Sequence, residues 1–201
     1  MSAIDIRPLS SVPAEPWRNG GGITRTLATN GKAWRVSVAQ VERDGPYSRF
    51  EGITRVSFVL RGRGVTLRAA EPRSSAVVAL EPFEAVEYDG GIEWDASLVD
   101  GPVTALNVMS AAGRYRVTVD AIVVATIVPP GCAAIVVALD SELRYSYGEP
   151  GASGAGAGTV EAGQFMVVHS VDRPLRLEPN SRGAKPPIIV TIQSAAAGTT
   201  D

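Results

Sequence analysis

"ITRVSFVLRGRGVTLRA", Ile53 to Ala69, alternates apolar and polar residues, breaks at a pair of glycines and then alternates again. A period of two marks a half-buried strand, and Gly62 and Gly64 mark a turn, so the stretch reads as strand, glycine turn, strand. The same pattern recurs outward in both directions. "WRVSVAQV" (Trp34 to Val41), "FEAVEY" (Phe83 to Tyr88), "TALNVM" (Thr104 to Met109) and "YRVTVDAIVV" (Tyr115 to Val124) all carry it. So do "AAIVVAL" (Ala133 to Leu139), "LRYSY" (Leu143 to Tyr147), "QFMVV" (Gln164 to Val168), "LRLE" (Leu175 to Glu178) and "IIVTI" (Ile188 to Ile192). Nothing has the 3.6-residue period of a long amphipathic helix. Many short strands separated by Gly, Pro, Asp and Asn clusters specify an all-β sandwich or barrel, of which the jelly roll is one form.

The two halves share an outline. "SFVLRGRGVTL" followed by "VALEPFEAVEY" is matched by "AAIVVALDSELRYSY" followed by "VEAGQFMVVHS". A duplication near Gly113 accounts for this, with one barrel in residues 1–113 and another in 114–201; the alternative is one sheet system without a repeat. Gly148 to Val160, "GEPGASGAGAGTV", is too poor in large side chains to pack and reads as a mobile hairpin loop. The tail "SAAAGTTD" reads as frayed.

The chain has 201 residues, 45% hydrophobic and 20% charged, enough for a real core. A net charge of -2 with scattered arginines gives no footprint for nucleic acid. No apolar run is long enough to span a bilayer and the first ten residues lack a signal-peptide pattern, so the expected location is cytoplasmic. The single cysteine, Cys132, fits a reducing compartment and reads as packing in an apolar strand.

Jelly-roll barrels often hold a metal through several histidines. His169 is the one histidine here, so an imidazole-built site within one chain is excluded, and no metal and no cofactor are expected. There is no G-x-S-x-G elbow, and the triple glycine lacks the context of a phosphate loop or a dinucleotide fingerprint, so no catalytic residue is assigned. "PWRNGGGITR", Pro16 to Arg25, is left as a rigid polar turn. Gly20, Gly21 and Gly22 can present N–H groups in one concavity, Trp17 a wall, Asn19 a donor and an acceptor, and Arg25 a fork for a carboxylate. A plain corner between strands, with Trp17 capping the core, is the simpler reading on composition alone.

Four stretches occur together and in order: "PWRNGGGITRTLA" (Pro16 to Ala28), "WRVSVAQVERDGPYSRFEGITR" (Trp34 to Arg55), "VLRGRGVTL" (Val59 to Leu67) and "LNVMS" (Leu106 to Ser110). In these the chain resembles the HutD/Ves family of bacterial proteins, most specifically through W-x-N-G-G-G-x-T-R and D-G-P-[FY]-S-x-F. The resemblance implies two cupin-like barrels in one chain, a bicupin, the first with a pocket at Trp17, Asn19, Gly20, Gly21, Gly22, Thr24, Arg25, Ser48, Arg49, Phe50, Asn107 and Met109. It implies a small acidic metabolite of histidine breakdown, such as formylglutamate, as the ligand, a role in moderating that pathway, and a possible homodimer. No established catalytic activity comes with it. Many relatives carry an acid where this chain has Ala105. Alternation along "LNVM" puts Asn107 and Met109 on one face. If that face looks into the barrel, Asn107 is a polar contact and Met109 an adaptable one, ordinary core filling being the other reading of Met109. Three functions stay open: a metal-free binding protein, a metal-independent isomerase or hydrolase, and a protein that only docks others.

Overall fold

The computed structural model describes residues 4–70, 75–148, 155–180 and 185–195. In chain order the strands are β1 (Ile4–Pro8), β2 (Glu15–Pro16), β3 (Gly22–Asn30), β4 (Trp34–Val41), β5 (Gly45–Tyr47), β6 (Ile53–Arg61), β7 (Val65–Ala69), β8 (Val77–Leu80), β9 (Ala85–Asp89) and β10 (Trp94–Leu98). They continue with β11 (Val103–Ala111), β12 (Tyr115–Ala121), β13 (Thr126–Val128), β14 (Ala133–Ala138), β15 (Leu143–Tyr147), β16 (Gly156–Val160), β17 (Gln164–Val168), β18 (Leu175–Pro179) and β19 (Ile188–Ser194). The only helix among the described residues is one short 3-10 turn at Leu9–Ser11.

Two compact units result, Val12–Arg114 and Met1–Ser11 with Tyr115–Asp201. The first unit has a six-stranded sheet, β2-β3-β4-β11-β6-β9, and a four-stranded sheet, β5-β10-β7-β8. The second has a five-stranded sheet, β1-β17-β14-β19-β12, and a four-stranded sheet, β13-β18-β15-β16. Adding eight to each strand number from β4 to β11 converts the first topology into the second. The chain therefore contains the same eight-stranded jelly roll twice, which a shared strand-turn-strand outline had only hinted at.

Each roll closes on its own apolar core. Leu67, Val65, Trp94, Val59 and Ala105 fill the first, and Leu143, Leu177, Met166, Val136 and Ile189 fill the second. The division differs in one respect from the expected 1–113 and 114–201. β1 pairs antiparallel with β17, Ile4 against Val168, and Ile4 and Ile6 pack on the second core, so the start of the chain belongs with the second unit.

Two further expectations change. Within the glycine-rich stretch Gly148 to Val160, the segment Gly156–Val160 is strand β16, paired with β15, while residues 149–154 lie outside the described residues. Small residues suit that strand because Gly158 lies under the Tyr145 ring, where a Cβ would stand 2.8 Å from the hydroxyl. Cys132 lies just ahead of β14 rather than within it and is half-buried against the second core, where burial pushes its thiol pKa up. In the tail, β19 runs on to Ser194, and residues 196–201 lie outside the described residues.

Candidate functional site

Strands β4, β11 and β6 lie side by side in the first unit, and their register stacks side chains in cross-strand rows. Met109 is opposite both Arg35 and Arg55; one step deeper Asn107 is opposite both Ser37 and Ser57; deeper still Ala105 meets Ala39 and Val59 at the core. Alternation then puts the upper two rows on one face of the sheet. That face floors a cavity of about 640 Å³ lined by Arg35, Arg55, Ser37, Asn107, Met109 and Tyr47, among others. Asn107 and Met109 do share a face, and both reach the cavity.

Arg55 is the most constrained polar group in it. The residue is only 8% exposed, its guanidinium carbon lies 5.1 Å from the Tyr47 ring centroid and 5.3 Å from that of Tyr88, and among the described residues its Nε has no hydrogen-bond partner. The two ring faces offset part of the cost of burying the charge, but a buried N–H still calls for an acceptor. Half-buried Arg35 donates from Nη2 to the Met109 sulfur at 3.0 Å, a weak acceptor for a guanidinium. Among the described residues neither arginine faces a carboxylate within salt-bridge distance.

The neighbouring polar groups are ordered by a short relay. Ser57 Oγ donates to Asn107 Oδ1 at 2.6 Å and lies 3.0 Å from the Tyr88 hydroxyl, which is left as the donor to Ser57. With Oδ1 committed, Asn107 has its Nδ2 donor to offer the cavity. Burial first, and then the Tyr88 phenol, push the Tyr47 pKa well above the usual phenol value, against an opposing pull from Arg55, so Tyr47 stays protonated and is a donor. The floor thus presents mainly donors, and the carboxylates of the lining, Glu15 and Glu93, are not paired with Arg35 or Arg55 among the described residues.

The walls come from the opening motif and from the segment after β5. Trp17 Nε1 donates to Thr24 Oγ1 at 2.8 Å, and the indole meets Tyr47 edge-on at 5.8 Å. Asn19 holds two segments together, accepting from Gly21 N at 2.9 Å and donating to Pro46 O at 3.3 Å. Trp17, Asn19, Thr24, Ser48, Arg49 and Phe50 all line the cavity, together with Arg18, Glu15 and Glu93. Arg49 forms an exposed ion pair with Glu51 at 2.8 Å.

Four expected residues stay out of the cavity lining: Gly20, Gly21, Gly22 and Arg25. Gly20 N donates to Trp17 O and Gly21 N to the Asn19 side chain, so these amides close the turn instead of forming an anion nest. Gly20 has φ of +64°, and at Gly22 a Cβ would stand 2.2 Å from the Gln40 carbonyl oxygen, so two of the three glycines are required by the backbone itself. Arg25 sits at the opposite parity from Thr24, and its Nη1 donates to Val12 O at 2.5 Å. Arg35, Ser37 and Arg55 were not picked out by sequence reasoning, although their alternation with Val36, Val38 and Val56 held the signal.

Among the described residues no three of His, Cys, Asp and Glu are grouped to hold a metal ion, and two arginines on the cavity floor oppose any cation there. The residues present do not fit a cupin-type metal. His169 is exposed at the end of β17, in the second unit.

The model of the HutD family matches residues 9–179. The chain belongs to the HutD family. A 21.2 kDa uncharacterised protein of Pseudomonas putida, named for its position in the hutC 3′ region, is 31% identical over 122 residues, 58% of this chain and 63% of that protein. The Ves protein of Escherichia fergusonii is 35% identical over 88 residues, 41% of this chain and 44% of Ves. These alignments take in less than two thirds of either relative.

Solved structures agree on the fold. A conserved protein of unknown function from Pseudomonas aeruginosa superposes with a TM-score of 0.77 at 23% identity, over 98% of this chain and all of that one. HutD of Pseudomonas fluorescens, solved in a formate condition, gives 0.74 at 18% identity, over 96% of this chain and 100% of that one. The oxalate decarboxylase of Lactobacillus farciminis gives 0.63 at 12%, over 93% and 85%. The fold of this HutD-family chain is cupin-like, and the family is linked to the histidine-utilisation locus through the relative named for the hutC 3′ region. Among the described residues no helix is long and apolar enough to cross a membrane.

Proposed function

We propose that this HutD-family protein binds a small carboxylate metabolite in the first jelly roll and moderates histidine utilisation as a binding protein, without turning its ligand over. The observation that carries this reading is Arg55, a cation more than nine-tenths buried whose Nε has no protein acceptor among the described residues. A buried ion without a counter-charge is costly, and a ligand carboxylate at the floor supplies both the charge and the acceptor. The cavity volume of about 640 Å³ suits a small molecule. Four arginines against two glutamates in the lining favour an anion. Formylglutamate, with two carboxylates and an acyl oxygen, matches a floor of donors and connects the site to the hutC neighbourhood of the relative.

Calorimetric titration of the chelator-treated protein with formylglutamate, urocanate, glutamate and histidine tests this. Arg55→Met is expected to weaken binding about 10–150-fold, the equivalent of about 1.5–3 kcal/mol for hydrogen bonds to a charged group. Thermal melts of Arg55→Met and Arg55→Lys separate lost contacts from lost folding. Equal affinity in wild type and Arg55→Met, with both folded, overturns the reading. The rival is a metal-independent enzyme, which needs an acid or base in reach of the ligand; Glu15 and Glu93 are the carboxylates in the lining. Ligand consumed by the wild type but not by Glu93→Gln or Glu15→Gln, followed by NMR, decides for that rival.

A further inference from the structure

We infer that two copies of this chain join edge to edge through β12, in an antiparallel pair centred on Thr118. The starting point is a difference between otherwise matching sheets. In the first unit, β3 pairs along the outer edge of β4, from Gly22 opposite Val41 to Asn30 opposite Trp34. In the second, the corresponding strand β12 ends its sheet, and no described strand pairs with its outer edge. The topology that fills this position once leaves it open the second time.

An open edge usually carries a guard: a proline, a bulge, a very short strand or charged side chains, lysine above all. β12, "YRVTVDA", has no proline, bulge or lysine, and its two charges, Arg116 and Asp120, are of opposite sign, so they repel a strand of like charge but not a second copy of this one. It is seven residues long, lacks Pro and Lys, and runs against β19 in unbroken register from Tyr115 opposite Ser194 to Ala121 opposite Ile188. Only Val119 among its residues is buried, whereas six of the eight residues of β4 are.

The strand is also complementary to itself. A two-fold axis at Thr118 sets Arg116 opposite Asp120 twice, Val117 opposite Val119, and the large Tyr115 opposite the small Ala121. Opposite charges and β-branched pairs are the favourable cross-strand neighbours, and an isologous two-fold contact doubles each of them. Moving the axis to residue 116 or 120 sets like charges face to face, and moving it to 117 or 119 takes Arg116 off Asp120, so the axis at Thr118 is the one that pairs these two charges. Beyond the strand, Val123, Val124 and Ile127 are 69%, 67% and 54% exposed, an apolar group at each end of the paired strands.

The test is sedimentation velocity on the full chain with three charge variants. Wild type is expected to be a dimer. Asp120→Arg and Arg116→Asp each put like charges across the axis and are expected to raise the dimer dissociation constant about tenfold or more. The double variant, Arg116→Asp with Asp120→Arg, restores the pairing. Cross-linking is independent of these: in a Cys132→Ala background, Thr118→Cys is expected to form a disulfide-linked dimer on mild oxidation, because residues facing across the axis lie within disulfide reach. Asp120→Cys alone is expected to stay uncross-linked, and to link when mixed with Arg116→Cys. A wild-type monomer at the highest soluble concentration overturns the inference. So does a dimer that is indifferent to Asp120→Arg and leaves the Thr118→Cys protein uncross-linked. None of these readouts involves the ligand, so they stand or fall apart from the carboxylate reading.

Discussion

The two jelly rolls of this chain have the same strand order and different mouths. Just above the core, the first has the row Ser37, Asn107, Ser57, and above it Arg35, Met109, Arg55. The second has Thr118, Thr191 and Ala134 in the lower row and Arg116 opposite Gln193 in the upper. The threonines are joined by a 2.8 Å hydrogen bond, and the cavity beside them, about 280 Å³, takes in Ile122, Ile127, Val128 and Ile189. Where Arg55 follows Thr54 into β6, the step ahead of β14 is Cys132. One barrel holds a buried cation without a counter-ion among the described residues, while the other joins its two threonines to each other and keeps the charges of β12, Arg116 and Asp120, exposed. Topology is shared by both copies, and the candidate chemistry rests on a handful of side chains in one of them.

If this difference lies in the mouths alone, the two cores should respond alike to truncation. Leu67 and Leu143 sit in β7 and the corresponding β15, and both are fully buried. Leu67→Ala and Leu143→Ala are each expected to destabilise by about 2–5 kcal/mol, read as urea midpoints. A negligible cost at one of them breaks the equivalence of the two cores. Next in size is Gly22→Ala, where the new methyl meets the Gln40 carbonyl. A cost of about 1–3 kcal/mol is expected, as for other overpacked sites, with a lower melting temperature as the readout. An unchanged melt would mean that β3 shifts freely on β4.

Strands such as β4, β6, β11, β14 and β19 were legible because alternation survives where one face of a strand is buried. β1, β2, β3, β5, β8, β10, β13 and β16 were not marked out, and all of these but β3 are five residues or shorter, which leaves little of a period to read. The pairing of strands into two sheets per unit was not legible either, since it depends on contacts distant in sequence. The site was legible only in part, for two physical reasons. Parity fixes which residues share a face, but not which face looks inward: Val36, Val38 and Val56 invite assignment to the barrel interior and Arg35, Ser37 and Arg55 to solvent. The cavity lies on the polar side, and the valines are buried on the other. The second reason is that motif residues serve structure and site together. Asn19 and Trp17 line the cavity while pinning the turn, whereas the glycines and Arg25 of the same motif only build it.

The smallest expected effects make the sharpest comparison between the mouths. Ser57→Ala removes the donor that holds Asn107 Oδ1, freeing the amide to rotate. It is expected to weaken carboxylate binding by about 0.5–1.5 kcal/mol, one neutral hydrogen bond, with little change in the melt. Thr118→Val removes the corresponding hydroxyl contact in the second barrel, at an exposed position. It is expected to leave the affinity unchanged and to cost no more than about 0.5 kcal/mol of stability. Titrating the same ligand into both variants separates a relay that positions a binding group from a hydrogen bond that only joins two strands. A loss of affinity in Thr118→Val equal to that in Ser57→Ala would mean that the second mouth takes part in binding, and the contrast drawn between the barrels would fail.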